Sequence, residues 1–152
     1  MTRTCWLIVI PLLCSLGVAD AQRGGPSDDD AAVRSAVLDY VEALYEVDPG
    51  RIERSVHPEL AKRGFGRSRE DGSYKEARMS YDELHRLAAT WNRAGRVDAR
   101  TAPKQVIVLD RLDQTATVKL VAQWGVDYMH LARWNGRWVI VNVRWQLTPE
   151  AP

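Results

Sequence analysis

Apolar residues recur at helical spacing in the first third of the chain and at alternate positions in the last third, so the sequence divides into two kinds of structure. Val33, Val37, Tyr40, Val41 and Leu44 form one stripe, which predicts a helix from Ala31 to Glu46 that Asp48-Pro49-Gly50 stops. Asp28, Asp29 and Asp30 stand where carboxylates cap free N–H groups and complement the positive end of the helix dipole. Ile52, Val56 and Leu60 continue a shorter helical pattern, which Pro58 breaks. From 61 to 79 the glycines Gly64 and Gly66 interrupt that pattern, and Glu70-Asp71-Gly72 marks the tip of a loose hairpin. Ser80 and Glu83 then spell a capping box for a second long helix, with Tyr81, Leu84, Leu87, Ala88 and Trp91 on its apolar face and Gly95 as its C-cap.

From Lys104 onward the period is two. Val106 to Leu112, Thr115 to Trp124, Val126 to Trp134 and Arg137 to Leu147 read as four consecutive strands of an antiparallel meander. Asn135-Gly136 suits a two-residue type I′ turn, because both residues tolerate positive φ. Counting outward pairs Trp134 with Arg137, Ala132 with Val139, His130 with Val141, Tyr128 with Val143 and Val126 with Trp145 on one face. The other face pairs Arg133 with Trp138, Leu131 with Ile140, Met129 with Asn142 and Asp127 with Arg144. Both faces are too apolar to meet water alone, and the helices suffice for one, so a second copy is expected on the other as a homodimer through the sheet. The fold class this order predicts is α+β, with N-terminal helices packed on one side of a strongly curved antiparallel sheet.

Composition narrows the class. The chain has 152 residues, 45% of them hydrophobic and 27% charged, which fits one globular domain. Its 21 Lys+Arg balance 20 Asp+Glu, so neither nucleic acid nor an anionic membrane is an expected partner. The start departs from this average: Arg3, an apolar run from Cys5 to Val18, and Ala19-Asp20-Ala21 make a secretory signal peptide over residues 1–21, cut after Ala21. The run is too short to span a bilayer and Pro11 interrupts it, so no membrane span is expected after cleavage. Leu13 before Cys14 does not match the small residue of a lipidation site. Both cysteines fall within the removed segment, which leaves a secreted or periplasmic domain without disulfides. Residues 22–30 read as a flexible leader and 31–148 as the folded domain.

Three segments carry a family resemblance: His57-Pro58-Glu59-Leu60-Ala61-Lys62-Arg63, Asp127-Tyr128-Met129-His130-Leu131, and Asn135-Gly136-Arg137-Trp138-Val139-Ile140-Val141-Asn142-Val143. Together they resemble the putative lumazine-binding family of the NTF2-like superfamily, with its ketosteroid-isomerase-like fold. The resemblance implies a cone: a bent sheet wrapped around a pocket that the N-terminal helices close, often dimeric through the sheet. The superfamily includes isomerases, dehydratases, cyclases and non-catalytic binding domains, so the fold does not choose among them.

His57, His85 and His130 are widely separated and lack metal-ligand spacing, and no phosphate-binding or dinucleotide fingerprint is present, so no metal or cofactor is expected. Alternation puts His130 on one face with Tyr128, Val141 and Trp145, a mixed aromatic and polar patch that makes it the leading pocket candidate. Trp91, His85, Tyr40, Asn142 and His57 complete the candidate lining. If the concave face is the opposite one, Met129, Asn142, Asp127 and Arg144 take the place of the His130 patch, with Asp127 and Arg144 expected as a cross-strand ion pair. Lys62, Arg63, Arg67, Arg69, Lys75 and Arg78 read as a solvated basic edge. The leading expectation is a domain that binds a small, largely apolar or aromatic molecule. A dimerisation or accessory module with a filled interior, and a proton-transfer enzyme of isomerase or dehydratase type using His130 with Tyr128 or Asp127, are the alternatives.

Overall fold

The computed structural model describes residues 26–148. The signal peptide expected over 1–21, both cysteines and the first part of the leader lie outside them. Helix α1 (Pro26–Tyr45) and the short α2 (Gly50–Ser55) lead into the hairpin β1 (Val56–Arg67) and β2 (Tyr74–Met79). Helix α3 (Tyr81–Ala88) follows, then the meander β3 (Lys104–Arg111), β4 (Thr115–Ala122), β5 (Gly125–Trp134) and β6 (Arg137–Leu147). The six strands form one open sheet in the order β2-β1-β6-β5-β4-β3. Only β1 and β6 run parallel; every other pair is antiparallel. This is the expected α+β architecture, with the turn at Asn135 (φ 49°) and Gly136 (φ 78°) in the left-handed conformation that type I′ requires. No helix among the described residues is long and apolar enough to cross a membrane.

Three sequence expectations are corrected. The helix expected from Ala31 begins at Pro26, so the second part of the leader expected over 22–30 is helical. Ion pairs hold that turn: Asp29 meets Arg133 and, at 3.4 Å, Arg111, while Asp30 lies 2.6 Å from Arg111. The helical pattern read through Leu60 ends at Ser55, because His57 precedes Pro58 and is driven extended, and Val56 is already in the β region (φ −123°, ψ 137°). The helix opened at Ser80 keeps its capping box but stops at Ala88 rather than Gly95. The buried Asn92 holds the turns that follow, donating to the carbonyls of Tyr45 and Val97 and accepting from the Val97 N–H.

The fourth correction decides the site. The register counted from Asn135-Gly136 holds as far as Leu131 opposite Ile140; a bulge then inserts one residue into β6. Beyond it His130 faces Asn142, Met129 faces Val143, Tyr128 faces Arg144 and Asp127 faces Trp145. A one-residue slip exchanges the two faces of a strand, so Val143 and Trp145 turn toward the helices with Asp127, Met129 and Leu131. Arg144 turns outward, and the expected Asp127–Arg144 ion pair is replaced by Asp127 beside Trp145. Further irregularities in β1 and β3 add to the bend of the sheet.

Candidate functional site

The concave face meets α1 along Val33, Val37, Tyr40, Val41 and Leu44, all buried with Val118, Leu120, Met129, Leu131 and Ile140 from the strands. Toward the end of α1 and under α3 this core opens into a cavity of about 210 Å³. Tyr40, Leu44, Lys62 and Leu84 make its buried floor, and the half-buried Met79, Leu87, Trp91, Trp124, Trp145 and Leu147 surround them. The rings stand edge-on: Trp124 lies at 74° to Tyr40 and 80° to Trp91, with Tyr45 against both tryptophans. On the β1 side, Gly64 gives Trp145 its place. A Cβ there would meet the Trp145 carbonyl oxygen at 2.1 Å and its ring at 2.4 Å, so the indole lies where any other residue would put a side chain.

One polar cluster sits in this apolar shell. Alternation along β1 sends Leu60, Lys62 and Gly64 inward, and Lys62 is only 6% exposed. Its Nζ donates to Tyr40 Oη at 2.7 Å and lies 5.4 Å and 5.6 Å from the Tyr40 and Trp145 ring centres. Asp127, fully buried on β5, brings Oδ2 to 4.0 Å from Lys62 Nζ, and its Oδ1 accepts from Trp124 Nε1 at 3.0 Å. Burial holds the Lys62 ammonium below its ordinary pKa, against the opposing pull of Asp127. Burial, and then the Asp127 charge, hold the Tyr40 phenol well above its ordinary value. Of the four buried side-chain atoms without a hydrogen-bond partner among the described residues, Arg51 Nε, Arg67 Nε, Asp127 Oδ2 and Trp145 Nε1, the last two belong to this cluster and its wall. Unsatisfied groups beside a hollow are what a ligand's own donors and acceptors can complete.

Of the candidate residues read from the sequence, the fold brings Tyr40, Trp91 and Trp145 to the cavity wall. It places His130 and Tyr128 on the outer face, Tyr128 with 52% exposure, and Asn142 beside His130 in the register. His57 accepts from the Glu59 N–H and packs edge-on against Trp134, with ring centres 4.3 Å apart. His85 lies between helices, 3.0 Å from Glu53 Oε1 and stacked on Tyr81. Sequence reading missed Lys62, grouped with the basic edge, and the placement of Trp124 and Leu84. The signal for Lys62 was present: Leu60, Lys62 and Gly64 alternate with charged or exposed neighbours, as a strand's inward set does.

A family model described as putative lumazine-binding matches residues 28–146. No curated protein matches the chain. Among solved structures, an NTF2-like protein of unknown function from Silicibacter pomeroyi is 20% identical, with a TM-score of 0.60, covering 80% of this chain and 98% of that one. One from Shewanella baltica is 12% identical with a TM-score of 0.61, covering 84% and 99%. An NTF2-like protein with a cystatin-like fold from Novosphingobium aromaticivorans is 14% identical with a TM-score of 0.55, covering 82% and 85%. At these identities the likeness is one of fold.

Proposed function

Because the chain belongs to the putative lumazine-binding family and has the NTF2-like fold, we propose that it binds a small, flat, largely aromatic molecule in the cavity under α1 and α3. The observation that carries this reading is the composition of the wall: three tryptophans, a tyrosine and aliphatic side chains around one buried amine. Rings accept another ring edge-on or stacked, and a single polar corner fixes which end of the ligand enters first. At about 210 Å³ the cavity is smaller than the roughly 300–1,000 Å³ of drug-sized sites, which suits a molecule of one or two rings.

The test is a thermal-shift series with one- and two-ring heteroaromatic compounds, read alongside quenching of tryptophan fluorescence. A ligand at about 100 times its Kd adds roughly 2.7 kcal/mol and raises Tm, and Trp145→Ala should abolish the shift. A series in which nothing moves Tm or fluorescence removes the reading. An interior filled by its own side chains, as an accessory module would have, leaves such a hollow without explanation. The enzymatic alternative loses its proposed acid–base group, since His130 lies on the exposed face.

The same reading includes export and self-association. Cleavage after Ala21 would release a chain beginning at Gln22, which the mass of the exported protein tests. A second copy on the outer sheet face would cover Tyr128 and Phe65, 52% and 45% exposed, with the half-buried Ile107, Val121 and Val126. Sedimentation at micromolar concentration tests that, and a monomer there would remove it.

A further inference from the structure

Lys62 stands out among the cations of the chain. Only four of the 21 basic residues are lysines, and the other three lie elsewhere: Lys75 is exposed, Lys104 pairs with Glu42 at 2.6 Å, and Lys119 is on the outer face opposite Tyr128. Among the described residues, the one cation lining the cavity is thus of the type that can lose its proton, whereas arginine stays charged. Beside it the floor supplies a hydroxyl, Tyr40 Oη at 2.7 Å, and behind it, fully buried and outside the cavity lining, lies a carboxylate oxygen with no hydrogen-bond partner, Asp127 Oδ2 at 4.0 Å. The remaining wall is aromatic and aliphatic, with Trp145 Nε1 as an unpaired donor.

The geometry points to covalent capture: the cavity holds a small aromatic aldehyde or ketone as a reversible imine on Lys62 Nζ. The inference rests on the ligand-binding reading above and names the chemical class of the ligand. In the forward step the ammonium gives up one proton to solvent, and the freed lone pair attacks the carbonyl carbon. The carbonyl π pair moves to oxygen, and one of the two protons on the attacking nitrogen passes to that oxygen, giving a neutral carbinolamine. The nitrogen's remaining proton leaves with that hydroxyl as water, and C=N is left. One amine and one carbonyl become one imine and one water, with no change in oxidation state. Burial favours the neutral amine that begins this sequence, and the rings hold the carbonyl's aromatic part against it.

The experiment incubates the purified protein at pH 7 with 4-methoxybenzaldehyde and sodium cyanoborohydride, whose hydride fixes any imine as a secondary amine, followed by intact mass and peptide mapping. The expected result is that, apart from the terminal α-amine, the adduct is on Lys62 and exceeds those on Lys75, Lys104 and Lys119 by about tenfold or more. Lys62→Arg and Lys62→Met should both lose that adduct. The carbonyl-free analogue 4-methylanisole should still raise the Tm of the wild type and of whichever variant folds. If 4-methylanisole binds while the adduct is spread evenly over the lysines or is absent from Lys62, the imine is overturned and the binding reading stands. If neither compound binds the wild type, both fall.

Discussion

The concave face of this sheet has a solid half and a hollow half, built under the same helix. Beneath the first turns of α1, Val33, Val37, Val118, Met129, Leu131 and Ile140 are 0–1% exposed and interlock. Beneath its last turns, Tyr40, Trp91, Trp124 and Trp145 surround about 210 Å³ of open space. The difference lies in side-chain shape. Branched aliphatic groups fill irregular gaps to crystal-like density, whereas rigid rings set edge to face leave corners that nothing nearby can enter. Trp145 on the cavity wall and Asp127 beside its Lys62 each also carry a buried polar atom without a hydrogen-bond partner, Nε1 and Oδ2. One half therefore supplies stability and the other a place for something else to bind.

The largest effect expected is in the solid half. Ile140→Ala should cost about 2–5 kcal/mol in urea unfolding, because the site is sealed and cannot collapse around the missing atoms. Leu147→Ala, on a half-buried cavity residue, should cost under about 1 kcal/mol while weakening ligand binding. Equal costs at the two positions would mean that the hollow is packed in solution, and the contrast would be lost. Gly64→Ala comes next. Its Cβ would fall 2.1 Å from the Trp145 carbonyl oxygen, so strand or indole must move; about 1–3 kcal/mol of destabilisation and loss of the ligand-induced Tm shift are expected.

The two halves were not equally legible in the sequence. The stripe on α1, the Ser80–Glu83 capping box and the Asn135-Gly136 turn depend on local chemistry, and each appears in the structure. The place of Trp145 in the hollow half depends on a bulge in β6 that no turn residue or glycine announces, and every β6 position past it exchanges faces relative to β5. The bulge gives Asp127 Trp145 rather than Arg144 as its neighbour and turns Asn142 outward beside His130. The outward side of His130 itself follows from which face of the sheet is concave, which alternation alone does not choose. Lys62 was obscured differently. A lysine among arginines reads as surface until its strand is known to be central, and β1 is central only because it pairs in parallel with β6, a contact across more than half the chain.

The polar corner of the hollow half sharpens the comparison through pH. Lys62 titrates below its ordinary 10.5 in the folded state, so between its folded pKa and 10.5 the unfolded chain binds more protons. Stability contributed by this group therefore rises as pH climbs through that window. The stability of the wild type relative to Lys62→Met should increase from pH 7 to pH 10 in urea titrations, and a flat difference would show that the amine is not held depressed. Tyr40 acts in the opposite direction. Its folded pKa is raised well above 10.0, so above that pH the unfolded chain sheds a proton that the folded one keeps, and stability is lost. Tyr40→Phe should remove that loss. Tyr40 from α1 and Asp127 from β5 are the titratable groups that contact Lys62 among the described residues, so the two variants with Asp127→Asn separate the contributions.

The smallest effects are expected where the concave face no longer matters. Tyr128 and His130 lie on the outer side of β5, and their strand neighbours Asp127, Met129 and Leu131 point the other way. Tyr128→Ser and His130→Ala should each change monomer stability by less than about 0.5 kcal/mol and leave cavity binding unchanged, because exposed strand positions have little packing to lose. What Tyr128→Ser should change is association: sedimentation of the variant should shift toward monomer if a second copy covers this face. An altered ligand affinity in either variant, with association unchanged, would couple the outer face to the cavity through β5. The solid and hollow halves would then no longer be divided by packing alone, because a residue touching neither would be tuning one of them.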